Sequence, residues 1–92
     1  MEDDDAPVQI RSQNLTWREV DGTIIALDLT SSTYFTANRV GTFLWHAMTD
    51  SVKVPELIAL LQSSFGISEE RATADVRAFL QLLDANNLLR RG

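Results

Sequence analysis

Apolar and polar residues alternate with a period of two over the first third of the chain and with a period near 3.6 over the rest. In LTWREV (15–20), Leu15, Trp17 and Glu19 share one face and Thr16, Arg18 and Val20 the other. Asp21-Gly22 follows, and both central positions of a type I′ hairpin turn need the positive φ that this pair tolerates. TIIALDL (23–29) then sets Ile25, Leu27 and Leu29 on one face and Ile24, Ala26 and Asp28 on the other. Thr30, Ser31 and Ser32 read as a tight turn into a very short strand, Thr33, Tyr34, Phe35 and Thr36, built of types that favour a pleated, half-buried surface. The three runs predict an antiparallel meander.

Beyond it the period changes. Asn38 is a good N-cap, and Val40, Phe43, Leu44, Ala47 and Met48 follow at helical spacing, which predicts a helix over about 39–48. A second helix starts near Val54 with Pro55 in its first turn, carries Leu57, Ile58, Leu61 and Phe65, and stops at Gly66. A third begins after Ser68 with Glu69 and Glu70 in its first turn, where the macrodipole favours anions. Ala72, Val76, Phe79, Leu80 and Leu83 form its stripe; Asp75 and Leu82 are expected to flank that stripe on opposite sides. Asn86-Asn87 ends it, Leu88 and Leu89 should fold back as an apolar latch, and Arg90, Arg91 and Gly92 should fray. The order βββααα makes a winged-helix-like α+β domain, a three-stranded antiparallel sheet followed by three helices that must cover one of its faces.

The third strand has a partner on one side only, because nothing strand-like follows it before the helices. An edge exposes unpaired N–H and C=O groups, which proteins commonly blunt with lysine, proline or inward charge. Residues 33–36 carry none of these. This edge is expected to stand open for another peptide.

Composition narrows the function. Ninety-two residues allow one core. The division expected is an acidic flexible tail over 1–13, with four acids in the first eight residues, and a domain over 14–92. A formal net charge of −5 with only eight Lys and Arg argues against nucleic acid and favours a cationic partner. No apolar run approaches the roughly 20 residues of a membrane span, and no signal peptide is visible, so a cytoplasmic location without membrane contact is expected. With no cysteine there is no disulfide, zinc-thiolate site or thiol nucleophile.

Nor is there a catalytic constellation. The sole histidine, His46, lies off the apolar stripe and reads as an exposed rim residue. The acids show neither EF-hand nor HExxH spacing, and the glycines are too dispersed to cradle a phosphate. The chain is expected to be no enzyme and to hold no cofactor or metal. Trp17 and Trp45 read as core wedges, whereas Tyr34, on the open edge with a polar tip, is equally suited to an interface.

With these runs laid out, the chain resembles the PqqD family, peptide-binding domains of ribosomal-peptide biosynthesis also called RiPP recognition elements. The likeness covers roughly residues 17–90 and rests on ALDLTSSTYFTAN, VGTFLW, VPELIALLQSSFGIS and above all ADVRAFLQLLDANNLL. The family's aromatic strand and helix-start Asn match Tyr34, Phe35 and Asn38; its helix-one Gly and Trp match Gly41 and Trp45. Its acid-apolar step and aromatic-Leu pair match Asp75-Val76 and Phe79-Leu80. Ala37 stands where Leu is frequent, and Asn86-Asn87 where a Gly is frequent.

The resemblance implies that the leader segment of a precursor peptide adds antiparallel to the third strand and packs on the last helix. Thr33, Tyr34, Phe35 and Thr36 would supply the ladder, and Asp75, Val76, Phe79, Leu82 and Leu83 the other wall, with Phe79 as anchor. It also implies delivery of the leader to a peptidase and a cyclase, first in a split lasso-peptide system. The alternatives are a PqqD-type chaperone for a radical-SAM maturase and a winged-helix DNA-binding protein. The second needs a basic recognition helix, whereas the third helix sets Arg71 and Arg77 against Glu69, Glu70, Asp75 and Asp84. A further possibility is an adaptor that dimerises through the same edge.

Overall fold

A computed structural model describes residues 6–92. Along the chain run β1 (Pro7–Ile10), β2 (Leu15–Val20), β3 (Thr23–Asp28), β4 (Thr33–Ala37), α1 (Arg39–Ala47), β5 (Val52–Lys53), α2 (Val54–Phe65), α3 (Glu69–Ala85) and β6 (Leu89–Arg91). The βββααα series stands as expected, and three short strands are added to it.

The meander β2-β3-β4 forms because its turns match their residues. Asp21 (φ 53°) and Gly22 (φ 76°) both occupy the left-handed region, as a type I′ turn requires. The turn before β4 is held by Asp28: its carbonyl accepts from Ser32 N at 2.7 Å and its Oδ1 from Thr30 N at 2.9 Å. Register then places Trp17, Ala26 and Phe35 in one cross-strand row, and Glu19, Ile24 and Ala37 in the next. This face meets the helices.

Three of the helix ends fall at their chemical signals. Asn38 Oδ1 accepts from Gly41 N at 2.9 Å, and Ser68 Oγ from Arg71 N at 3.1 Å. Gly66 ends α2 in the left-handed conformation. Leu44 and Trp45 of α1 and its C-cap Met48, Leu57 and Leu61 of α2, and Val76 and Leu83 of α3 are wholly buried with Ile24 and Ala26. Trp45 is the largest of these; it stacks on Phe35 with ring centroids 5.8 Å apart and takes the edge of Trp17 at 5.8 Å. Trp17 is thus a lid on the core rather than a wedge within it, and remains 37% exposed. His46 is exposed, as expected, with Nε2 2.6 Å from Glu19 Oε1.

The second sheet, ordered β5-β1-β6, corrects two expectations. Residues 7–10 lie within the segment expected as a tail, yet β1 is the sheet's central strand and buries Val8 and Ile10. Pairing on both sides supplies the hydrogen bonds, and the alternation of Val8 and Ile10 with Pro7 and Gln9 supplies the apolar face. The acidic run over 2–5 lies outside the described residues. The C-terminus likewise does not fray: Arg90 and Arg91 pair with Gln9 and Val8, and Gly92 N donates to Pro7 O at 2.9 Å. Leu88 is buried as the expected latch.

Arg11 joins the two sheets. Its backbone N donates to Leu88 O at 2.8 Å, and its guanidinium lies 2.7 Å from the Asp28 carboxylate beneath the β3–β4 turn. The Arg11 side chain foremost, with donation from Thr30 N, holds the Asp28 carboxyl below its ordinary pKa, against the opposing effect of burial. A carboxyl lowered on folding stabilises the fold above its unfolded pKa of about 4, and that contribution fades as pH falls through the folded value. Thermal melts of Asp28→Asn and the parent chain should therefore differ at neutral pH and converge in acid. A gap independent of pH would contradict this role for the pair.

Candidate functional site

A meander has two edges, and they are not alike. β2 carries Arg18 and Glu19 at its centre, charges of the kind that discourage pairing. β4 carries no charge, and Thr33, Tyr34 and Thr36 are exposed along it while Phe35 and Ala37 turn inward. No described strand pairs with its outer side.

Beside this edge a groove of about 560 Å³ opens between the β4–α1 junction and α3. One bank is Thr36, Ala37, Asn38, Val40 and Gly41; the other is Arg71, Asp75, Ala78, Phe79 and Leu82. Asp75 and Leu82, expected on opposite sides of the α3 stripe, share this bank. They are seven residues apart, close to two full turns, so helical geometry returns them to one side. Leu82 is 48% exposed, whereas Phe79 is only 7% exposed and rests on Phe35 with centroids 6.5 Å apart. Phe79 thus belongs to the core and also shows a ring edge to the groove.

Val76 and Leu83, expected in the wall, are wholly buried beneath it, and Phe35 shows little more. A side chain with no accessible surface has none to offer a docking peptide. These three shape the wall from behind.

Arg71 and Ala78 complete the α3 bank, although neither is among the wall residues expected from the sequence. The available signal was spacing: they lie four residues before and three after Asp75, on the same helix face. Arg71 Nε approaches Asp75 Oδ2 at 3.9 Å, and Arg71 is largely exposed, so this i,i+4 pair is loose. It gives the otherwise apolar wall one charged end.

The groove keeps its shape through Gly41. A Cβ there would lie 3.0 Å from Phe79 Cε1, 3.1 Å from Ala37 Cβ and 3.3 Å from Asn38 Oδ1. α1 can lie this close to Phe79 only without a side chain at that position. Gly41→Ala should lose about 1–3 kcal/mol by overpacking and regain about 1 kcal/mol in helix propensity, a net cost of up to about 2 kcal/mol. Chemical denaturation measures the loss, and an unchanged midpoint would show that Phe79 yields freely.

Among the described residues no group of three or more His, Asp or Glu could hold a metal ion, and no helix is long and apolar enough to cross a membrane.

Meander, covering helices and one uncharged edge beside a groove define a winged-helix-like α+β domain built around an open strand. Residues 23–89 match the model of the family described as coenzyme PQQ synthesis protein D (PqqD), and the chain belongs to that family. Among solved structures, TbiB1 in complex with the TbiA(beta) leader peptide superposes with a TM-score of 0.80 at 23% identity, over 89% of this chain and 94% of that one. A lasso peptide synthetase B1 complexed with the leader peptide gives 0.78 at 18% identity, over 90% and 96%. These likenesses establish the shared fold. A search of curated proteins finds no match to the chain.

Proposed function

We propose that this protein binds the leader segment of a ribosomally made precursor peptide as a fourth, antiparallel strand on β4, packed laterally against α3. The observation that carries the reading is the pairing of an uncharged, unpartnered strand edge with a groove along the same strand. In strand addition, main-chain hydrogen bonds give generic affinity and side-chain pockets give specificity. Thr33, Tyr34, Phe35 and Thr36 supply the ladder through their backbone. Asp75, Phe79 and Leu82 meet the leader's side chains, while Val76 and Leu83 hold that wall in place. Asp75 can accept a hydrogen bond or take a basic leader residue in exchange for Arg71.

The chain acts in this reading as a non-catalytic recognition subunit in the cytoplasm that hands its cargo to a leader peptidase and a cyclase. A lasso-peptide pathway is favoured over a radical-SAM one because one similar fold is a lasso peptide synthetase B1 in its leader complex. Ordering the leader offsets about 2–5 kcal/mol of the gross interaction energy. A net of about −8 kcal/mol, near micromolar or tighter, is expected.

Calorimetric titration with the precursor peptide of the chain's own pathway tests the reading. The leader alone should bind one to one, as tightly as the whole precursor. Binding that follows the core peptide instead would contradict it.

A further inference from the structure

We infer that the strand held at β4 is read on both faces of the sheet, and that Tyr34 selects an apolar side chain pointing away from α3. This rests on the strand-addition reading and adds what the added strand must carry.

The register divides the meander into rows. On the face turned from the helices, Thr16, Leu27 and Tyr34 form one row and Arg18, Ile25 and Thr36 the next. The open face of an antiparallel sheet is ordinarily polar. Here Ile25 and Leu27 occupy its middle strand, half-buried by their neighbours, with Val20 exposed nearby. Tyr34 ends its row at the sheet's edge and is 72% exposed, more than any other large apolar or aromatic side chain described. Leu27 is its cross-strand partner on one side, and no described strand pairs on the other.

A strand added antiparallel to β4 continues both rows. Its residue opposite Tyr34 projects on the outer face, directly beside that ring. The preceding residue lies opposite Phe35 and projects into the groove toward Phe79 and Leu82. The one before that lies opposite Thr36, again on the outer face, in a row whose far end is Arg18. Directly opposed side chains on one face are the stabilising unit of a sheet, and aromatic pairs with aromatic or β-branched partners are the stronger ones. Read from its N-terminus, the bound segment therefore carries an outward side chain suited to threonine, then an inward apolar one, then an outward aromatic or branched apolar one. Two adjacent apolar residues, one for each face, distinguish this from the simple alternation that the groove alone would select. If Tyr34 only shielded Leu27 within the existing row, the outward position would show no preference.

Selection from a library of random linear peptides on the immobilised chain tests this. Parallel selections use Tyr34→Thr, which keeps a strand-favouring residue, and Tyr34→Phe, which keeps the ring. Amide exchange on the enriched peptides' complexes reports whether Thr33–Ala37 is covered. The parent chain and Tyr34→Phe should enrich an apolar side chain immediately after the inward apolar one. Tyr34→Thr should keep the inward preference, lose the outward one, and bind the parent's best peptide about threefold to tenfold more weakly. Peptides that cover β4 but show the same outward residues on all three chains overturn the inference and leave strand addition standing. Failure of the parent chain to enrich any peptide that covers β4 overturns both.

Discussion

Phe79→Ala should lower the unfolding free energy by about 3–5 kcal/mol, the range for deleting a buried aromatic ring. The ring is nearly enclosed: it rests against Phe35 and lies within van der Waals reach of the space over Gly41. Removing it leaves a cavity open to the groove, so part of the cost depends on how far Leu82 and Ala78 settle inward. A domain of this size holds about 5–15 kcal/mol in all, so the loss is a large fraction of the total and the variant should melt well below the parent. Leader affinity should fall as well, because the wall loses its apolar edge. Denaturant titration followed by binding measured below the midpoint separates the two effects. Unchanged stability would show that Phe79 is not packed as described.

Leu82→Asp isolates binding from folding. Leu82 is half exposed at the end of the same bank, so its replacement should cost about 1 kcal/mol of stability, mainly because Asp is a poorer helix former and its charge opposes the dipole at the end of α3. Once a leader strand covers the groove, however, the new carboxylate is shut away beside Phe79, about three helical turns from Arg71, the cation that lines the groove. An uncompensated buried charge costs about 3–5 kcal/mol, more than a hundredfold in affinity. Calorimetry with the leader peptide reads this directly. A folded Leu82→Asp chain that binds as the parent does would place the peptide elsewhere.

Much of this architecture is visible in the residue pattern. Asp21-Gly22, Asn38, Ser68 and Gly66 are local signals whose chemistry dictates a turn or a helix end, and all four act as such. The second sheet is illegible for an equally physical reason. Its strands have four, two and three residues; only β1 is long enough to alternate, over a single repeat, and its pairing with β6 joins the two ends of the chain. The same limit applies to the groove. A stripe on α3 predicts one apolar face, but which members of that face are capped by β4 and α1 is a matter of tertiary packing. Val76 and Leu83 therefore lie in the core, while Leu82 keeps its exposure. Gly41 shows the converse. A lone glycine in a helix predicts only weakened propensity, and its role in admitting Phe79 appears once α1 and α3 are brought together.

The most direct measurement is backbone amide mapping of the isotopically labelled chain during titration with its precursor's leader peptide. Slowed exchange and large shift changes should concentrate on Thr33–Ala37 and on the Arg71, Asp75, Ala78 and Leu82 bank of α3, with β2 little affected. Perturbations centred on β2, or on the β5-β1-β6 sheet, would contradict the account.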